Sequence, residues 1–319
     1  MYRIHRVRTT KLILLHLYFI YCPQTEVRLT FLDVTVHRKL LSGLDRLNAT
    51  SIVLQRARPL SLDNGIWDAA DVQWWWRRPR VSDDFTLPVW FDEFGPVAAV
   101  GITAWESTWQ TDPFVVPNLV SRVEVWEETM AAVAEYGCDS LQILLPEKDS
   151  ELTNLALSSG FALSDEISGT TWMHIDDRPS IPSVDGYKVV DRTNGLRHSH
   201  HMVKRNGDEV ESRLKQCSLY DPTLDLVVLD DNENVAGYAL FWFDQSNHIG
   251  MLEPMRVEEG HQRKGLAKLL IASGLERLAV KGARRVKVGF ESEAASSLYF
   301  SMGFKQTSVD RLLTRSSEK

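Results

Sequence analysis

The chain has 319 residues, 44% of them hydrophobic and 25% charged, with a formal net charge of −7. That length suits two domains rather than one, the composition is that of a globular protein, and the acidic balance gives a nucleic-acid-binding role no global electrostatic support. Cys22, Cys138 and Cys217 are widely spaced and form neither a CxxC nor a disulfide framework, which points to a reducing cytoplasm.

Arg3, Arg6, Arg8 and Lys11 precede the apolar run Leu12 to Tyr21, in the manner of the charged and apolar regions of a signal peptide. His16 interrupts the run, no small-x-small cleavage site follows, and the run is too short to span a bilayer as a helix. The expectation is an N-terminal extension over residues 1–50, partly disordered, with no membrane role. Leu29 to Leu47 reads as a strand and a short helix, and Asp63-Asn64-Gly65 as a turn. Trp67 and Trp74-Trp75-Trp76 run into Arg77-Arg78-Pro79-Arg80. A base-stacking platform is one reading of that cluster. In an acidic chain the better one is a set of aromatic anchors for a core or domain interface, with arginine stems lying over the rings.

Leu87–Phe91, a turn at Asp92–Gly95 and Pro96–Trp105 form a hairpin by their alternation. A short strand follows at Asp112–Val116. Ser121 and Glu124 form a capping box for a helix over Arg122–Tyr136, which Gly137 stops. Leu141–Leu145 is a buried strand, and Asp149–Ser159 a helix ending at Gly160-Phe161. After a linker at Arg178–Gly186 the pattern returns: a strand at Tyr187–Val190, a helix at Asn194–Arg205, strands at Leu224–Leu229 and Val235–Phe243, and a strand at Met251–Val257. An amphipathic helix over Leu266–Lys281, a strand at Val286–Phe290 and a helix at Glu293–Met302 follow. Gly282 closes its helix as Gly137 does, 145 residues earlier, and Gly303-Phe304 repeats Gly160-Phe161 at an offset of 143. Two copies of one unit account for this, divided as residues 51–183 and 184–319.

The copies differ in chemistry. Between the Met251–Val257 strand and its following helix stands Gln262-Arg263-Lys264-Gly265-Leu266-Ala267. N–H groups at a helix start, a glycine that admits close approach and two cations make an anion cradle. The corresponding stretch of the first copy is Pro117-Asn118-Leu119-Val120-Ser121-Arg122, with no glycine and a proline that removes a donor.

Gln262-x-x-Gly265-x-Ala267 after a strand, together with Ala295-Ser296-Ser297-Leu298-Tyr299-Phe300-Ser301-Met302-Gly303-Phe304, resembles the pyrophosphate loop and the A-x-x-L-Y-x-x-x-G-F segment of the GNAT superfamily of acyl-CoA-dependent N-acetyltransferases. The arrangement resembles the mycothiol synthase kind of tandem with a degenerate N-terminal copy. The implied fold is α/β (α+β): two tandem GNAT-like domains, each a mixed, mostly antiparallel sheet flanked by helices. The resemblance implies acetyl-CoA as co-substrate, its pyrophosphate held by Gln262, Arg263, Lys264, Gly265, Leu266, Ala267 and Lys268. Its pantetheine arm would lie along the backbone of Met255 and Val257, with Ser292 standing where the family usually has Asn. Glu258 and Glu259 replace the usual small residue or proline and put negative charge near a polyanion.

In this frame Glu253 is the candidate general base, or else a structural carboxylate. Tyr299 is the candidate general acid for the departing thiolate, or else a core aromatic. His198, His200 and His201 spread over several helix faces without acidic or cysteine ligands at matching spacing; they read as a solvated helix surface or a wall of the acceptor pocket, with no metal. The expected activity is acetyl transfer by direct attack of a primary amine of a small molecule or peptide, in the cytoplasm, by a monomer or homodimer without nucleic acid or membrane. A non-catalytic acyl-CoA-binding or scaffold protein is the alternative, suggested by Ser292 and the Glu258-Glu259 pair.

Overall fold

A computed structural model describes residues 35–60, 66–194 and 199–316. The apolar run Leu12 to Tyr21, Cys22, the Asp63-Asn64-Gly65 turn and His198 lie outside the described residues.

The first half runs β1 (His37–Leu41), α1 (Gly43–Ala57), α2 (Ala69–Trp75), β2 (Leu87–Asp92), β3 (Gly95–Trp105), β4 (Thr108–Val115), α3 (Arg122–Tyr136), β5 (Ser140–Pro146), α4 (Ser150–Ser158) and β6 (Ala162–His174). The second runs β7 (Tyr187–Asp191), α5 (Val203–Asn206), α6 (Val210–Leu214), β8 (Asp225–Asp230), β9 (Val235–Asp244), β10 (Ile249–Val257), α7 (Leu266–Val280), β11 (Arg285–Phe290), α8 (Glu293–Ser301) and β12 (Lys305–Ser316). The order β-α-α-β-β-β-α-β-α-β thus occurs twice. Residues 1–50 are not simply an extension, because β1 and the first part of α1 fall within them.

All the strands form one 12-stranded sheet in the order β1-β2-β3-β4-β5-β12-β6-β11-β10-β9-β8-β7. The two arms of this order are equivalent strand for strand about its centre. There the halves exchange their last strands. β12 pairs antiparallel with β5 of the first half, Leu313 opposite Ile143. β6 pairs antiparallel with β11 of the second, Trp172 opposite Lys287. The two exchanged strands also pair with each other, Lys305 opposite Trp172.

Helix α1 packs on β3, yet Gln55 on the same helix donates to Asp244 at the end of β9, 2.9 Å away. Those strands stand seven places apart, about 34 Å in a flat sheet, against a helix about 10 Å across. The sheet therefore curls around α1 and α2. One core joins both halves, with Leu47, Trp74, Trp90 and Leu141 beside Met202, Leu214, Leu240, Trp242 and Leu313. A second core lies under α7 and α8.

Two local expectations are corrected. Ser121 precedes α3 but makes no side-chain cap; Glu124 instead accepts from Trp90 Nε1 at 3.0 Å. The helix expected over Asn194–Arg205 is a 3-10 turn at Arg192–Asn194 and the short α5. The Met202 N–H donates to the ring of His200 rather than along a helix, because His200 turns inward to Asp225.

Candidate functional site

The site grows from a split in the sheet. β10 and β11 run parallel but pair only over Ile249↔Arg285, Gly250↔Val286 and Met251↔Lys287. Beyond Met251 the β11 side of β10 lacks a ladder partner, while its other side remains on β9, with Met255 opposite Ala239 and Val257 opposite Gly237. The β9 ladder is itself irregular between Leu252 and Met255, where the Glu253–Pro254 peptide is cis. The backbone from Leu252 to Val257 therefore has an edge unpaired on its β11 side, the setting in which an extended ligand can add like a strand.

At the far end of this edge a 3-10 turn at Glu259–His261 leads to Gly265, the N-cap of α7. Gly265 has φ +86°, a left-handed conformation suited to glycine. No side chain caps the helix, so its first-turn N–H groups face outward with the positive end of the dipole. Gln262, Arg263, Lys264, Gly265 and Lys268 are exposed, Ala267 is half-buried and Leu266 is buried. Lys264 Nζ donates to the Tyr187 hydroxyl at 3.0 Å, and that hydroxyl lies 3.0 Å from His261 Nδ1. Tyr187, which sequence reasoning missed, thereby ties the loop to β7; a lone tyrosine on a strand carries no signal of this.

Glu258 does not leave its charge free beside the loop. Arg205 donates to both its oxygens, at 3.0 and 3.1 Å, and Arg256 lies 3.7 Å away. These guanidiniums, Arg205 first, hold its carboxyl below the usual range. Ser292 is the N-cap of α8, accepting from the Ala295 N–H at 3.3 Å.

Glu253 on β10 and Tyr299 on α8 lie near enough for the charge of the first to act on the hydroxyl of the second. The Glu253 carbonyl accepts from Trp242 Nε1 at 2.7 Å. Burial pushes its carboxyl up to about 7, with Asp71 and Glu291 adding to the rise and Arg77 and a bond from the Trp74 side chain opposing it. Tyr299 is 7% exposed; burial, with the Glu253 charge second, pushes its hydroxyl well above the usual phenol range. Arg77, Asp71 and Trp74 belong to the first half. Sequence reasoning assigned that tryptophan-arginine stretch to an interface, and the contacts agree. The Arg77 guanidinium lies 4.0 Å over the Trp74 ring and Arg213 lies 3.8 Å over Trp76, while Trp76 Nε1 donates to Gln216 at 2.8 Å.

His200 and His201 are not part of a solvated surface. The side chains of His200, His201 and Asp225 are at most 2% exposed, and each offers one ligand atom within 4.8 Å of the others. The hydrogen bonds assign His200 one tautomer. His200 Nδ1 accepts from the Met202 N–H at 3.2 Å, so Nε2 carries the proton that it donates to Asp225 at 2.8 Å. A ligating Nε2 would need its lone pair, with the proton on the other nitrogen. Burial holds His201 neutral, its pKa pushed down to about 3.

The first half repeats the split: β4 and β5 pair only at Trp109↔Leu141 and Gln110↔Gln142. A cavity of about 640 Å³ opens there, lined by Trp67, Asp112, Phe114, Pro117, Ser121 and Arg122 among others. Asn118 has φ +68° and Arg263, its counterpart in the second half, φ +59°. The loop frame persists, but Arg122 is bound by Asp149 and Glu151.

Residues 194–304 match the family model of the acetyltransferase (GNAT) family. Among solved structures the chain is similar to a tandem GNAT protein from the clavulanic acid biosynthesis pathway, with a TM-score of 0.64 and 14% identity over 89% of this chain and 99% of that one. It is also similar to a GCN5-related N-acetyltransferase from Sphaerobacter thermophilus, with a TM-score of 0.59 and 14% identity over 88% and 95%. At such identities the likeness is one of fold. A comparison with curated proteins finds no match. The family match covers residues 194–304, and the likeness of fold to a tandem GNAT protein extends over most of the chain. No described helix is long and apolar enough to cross a membrane.

Proposed function

We propose that the second half moves an acetyl group from acetyl-CoA to a primary amine of a small molecule or peptide, by direct attack, in the cytoplasm. The observation that carries this is the convergence, at one split in the sheet, of an uncapped helix start, an unpaired strand edge and a carboxyl whose pKa is about 7. The N–H groups of residues 263–268 would hold the pyrophosphate and the edge at Met255 and Val257 the pantetheine arm. An N–H near Val257 would donate to the thioester oxygen.

An alkylammonium, of pKa about 10, must lose a proton before it attacks. Glu253 would take that proton, directly or through water, and its raised pKa supports this reading, since it makes a better base than an ordinary carboxylate. The amine then adds to the thioester carbon, the C–S bond breaks, and the electron pair leaves on sulfur. Tyr299, protonated across the working pH range, donates to that sulfur, and the second proton that the acylated nitrogen releases restores the tyrosine. Of the features that favoured a non-catalytic binding protein, Glu258 is paired with Arg205 and Ser292 caps a helix, while Glu259 is exposed.

The test is release of free CoA thiol from acetyl-CoA over a panel of amines, followed by substitution. Glu253→Gln should lower kcat/KM about 100-fold or more, and Tyr299→Phe should lower kcat about tenfold or more. An unchanged rate in both variants removes the assigned roles. CoA binding without turnover on any amine removes the transferase reading.

A further inference from the structure

We propose that the first half completes the reaction centre of the second: helix α2 and the turn that follows it supply Asp71, Trp74 and Arg77 as positioning residues around Glu253. The inference deepens the transferase reading given above and rests on it only for its catalytic consequence.

The geometry is a clasp. Lys287 on β11 is 3% exposed. Its ammonium donates to Asp71 at 2.5 Å and to the Ile66 carbonyl at 2.7 Å, and lies 2.7 Å from Asp68. Arg58 pairs with Asp68 at 2.6 Å. A buried lysine held by two carboxylates and a carbonyl of the other half cannot be released without leaving uncompensated charge in the core. The same helix and the turn after it are fastened to the second half. Gln73 donates to Ser218 at 2.9 Å and accepts from the Leu219 N–H at 2.8 Å, and Arg77 Nε donates to Asn206 at 2.7 Å. The result is that α2 packs on β9 and β10, against the strand that carries Glu253. A half that served only as a spare copy would need no such attachment to the reacting strand.

The groups that face Glu253 act in opposite directions. Asp71 from α2 and Glu291 beyond β11 disfavour its charge, the Trp74 donor from α2 and Arg77 from the turn after it favour it, and Tyr299 from α8 is its neutral neighbour. Lys287 acts through Asp71, whose position it fixes. This balance can be tested residue by residue, because the expected effects differ in sign. Simple loosening of the interface would admit water and lower the Glu253 pKa in every variant.

The experiment is a carbon-13 titration of glutamate side-chain carboxyls in the full chain, with the Glu253 signal assigned by its loss in Glu253→Gln. Asp71→Asn should lower the midpoint, and Arg77→Gln and Trp74→Phe should raise it. With acetyl-CoA and a reactive amine, the acid limb of kcat/KM should move alike. A half-unit move is an about threefold change in rate near pH 6: a gain for Asp71→Asn and a loss for Arg77→Gln. Midpoints that stay fixed, or that all fall together, overturn the proposal. Midpoints that move as expected while the acid limb does not support the proposal and remove Glu253 as the base.

Discussion

At the residue scale the distinctive feature is a set of side chains whose roles depend on neighbours far away in sequence. Tyr187 is one. Its hydroxyl organises Lys264 and His261, so Tyr187→Phe should raise KM for acetyl-CoA about three- to tenfold with kcat nearly unchanged, the signature of lost ground-state binding. Steady-state kinetics with varied acetyl-CoA measure this; a fall in kcat at constant KM would contradict it. Asp112 is another. It accepts from Trp67 Nε1 at 2.9 Å and Gln110 Nε2 at 3.0 Å, and burial pushes its carboxyl up to about 7. The folded value lies above the unfolded one, about 3.9, so folding favours the protonated acid. Its contribution to stability is full below the unfolded value, falls as pH rises to about 7, and is flat above. Glu253 acts with the same sign. Buried His201, lowered to about 3, acts with the opposite sign between about pH 5 and its unfolded value of about 6.5. The two raised carboxyls together should outweigh it and leave the protein less stable to urea at about pH 8 than at about pH 5. In Asp112→Asn that difference should shrink. Neither environment can be read from local sequence, because the burial comes from α2 and the segment before it.

At the element scale the central motif was legible and its surroundings were less so. The strand, loop and helix from Ile249 to Val280 follow from alternation, a glycine at the helix start and a period of 3.6, all local signals. Helix α7 also carries a glycine that marks packing. A Cβ on Gly274 would fall 2.1 Å from the Phe241 ring, so the helix rests on β9 with no room to spare. Gly274→Ala should therefore destabilise by about 1–3 kcal/mol from overpacking, more than the roughly 1 kcal/mol of helix propensity it gains. Chemical denaturation measures the balance, and a stabilised variant would show that the helix can shift outward. The helix expected over Asn194–Arg205 failed for the opposite reason. Its period is acceptable, but burying His200 against Asp225 at 2.8 Å outweighs one turn of helix, and no local rule anticipates a partner on the following strand. Ser121 and Glu124 likewise match a capping box in sequence, yet Trp90 takes the glutamate.

At the scale of the whole molecule the repeat was visible in the paired glycines and hairpins, while the strand exchange was not. β6 and β12 carry Asp165, Glu166, Asp310 and Arg311 amid few apolar residues, so neither shows the alternation of a half-buried strand. Each is a strand because the other half gives it neighbours. This has a consequence for dissection at the Arg178–Gly186 linker. A first half alone keeps β6 but loses both of its neighbours, β11 and β12, and leaves the edge of β5 bare; a second half alone loses β5 and β6 beside β12. It also strips Lys287 of Asp68 and Asp71, leaving a buried cation unpaired. Bare central edges seek strands, and the exchange that occurs within one chain can occur between two. Each half expressed alone should thus be insoluble or should form strand-exchanged oligomers, as read by light scattering after size exclusion. The two halves co-expressed should recover a one-to-one complex with the near-ultraviolet dichroism of the intact chain. A second half that folds as a monomer and releases CoA thiol at the intact rate would show that the first half is dispensable. The clasp from Lys287 to α2 argues for the other outcome, because the half that lost the donor-binding groups still holds the wall beside Glu253.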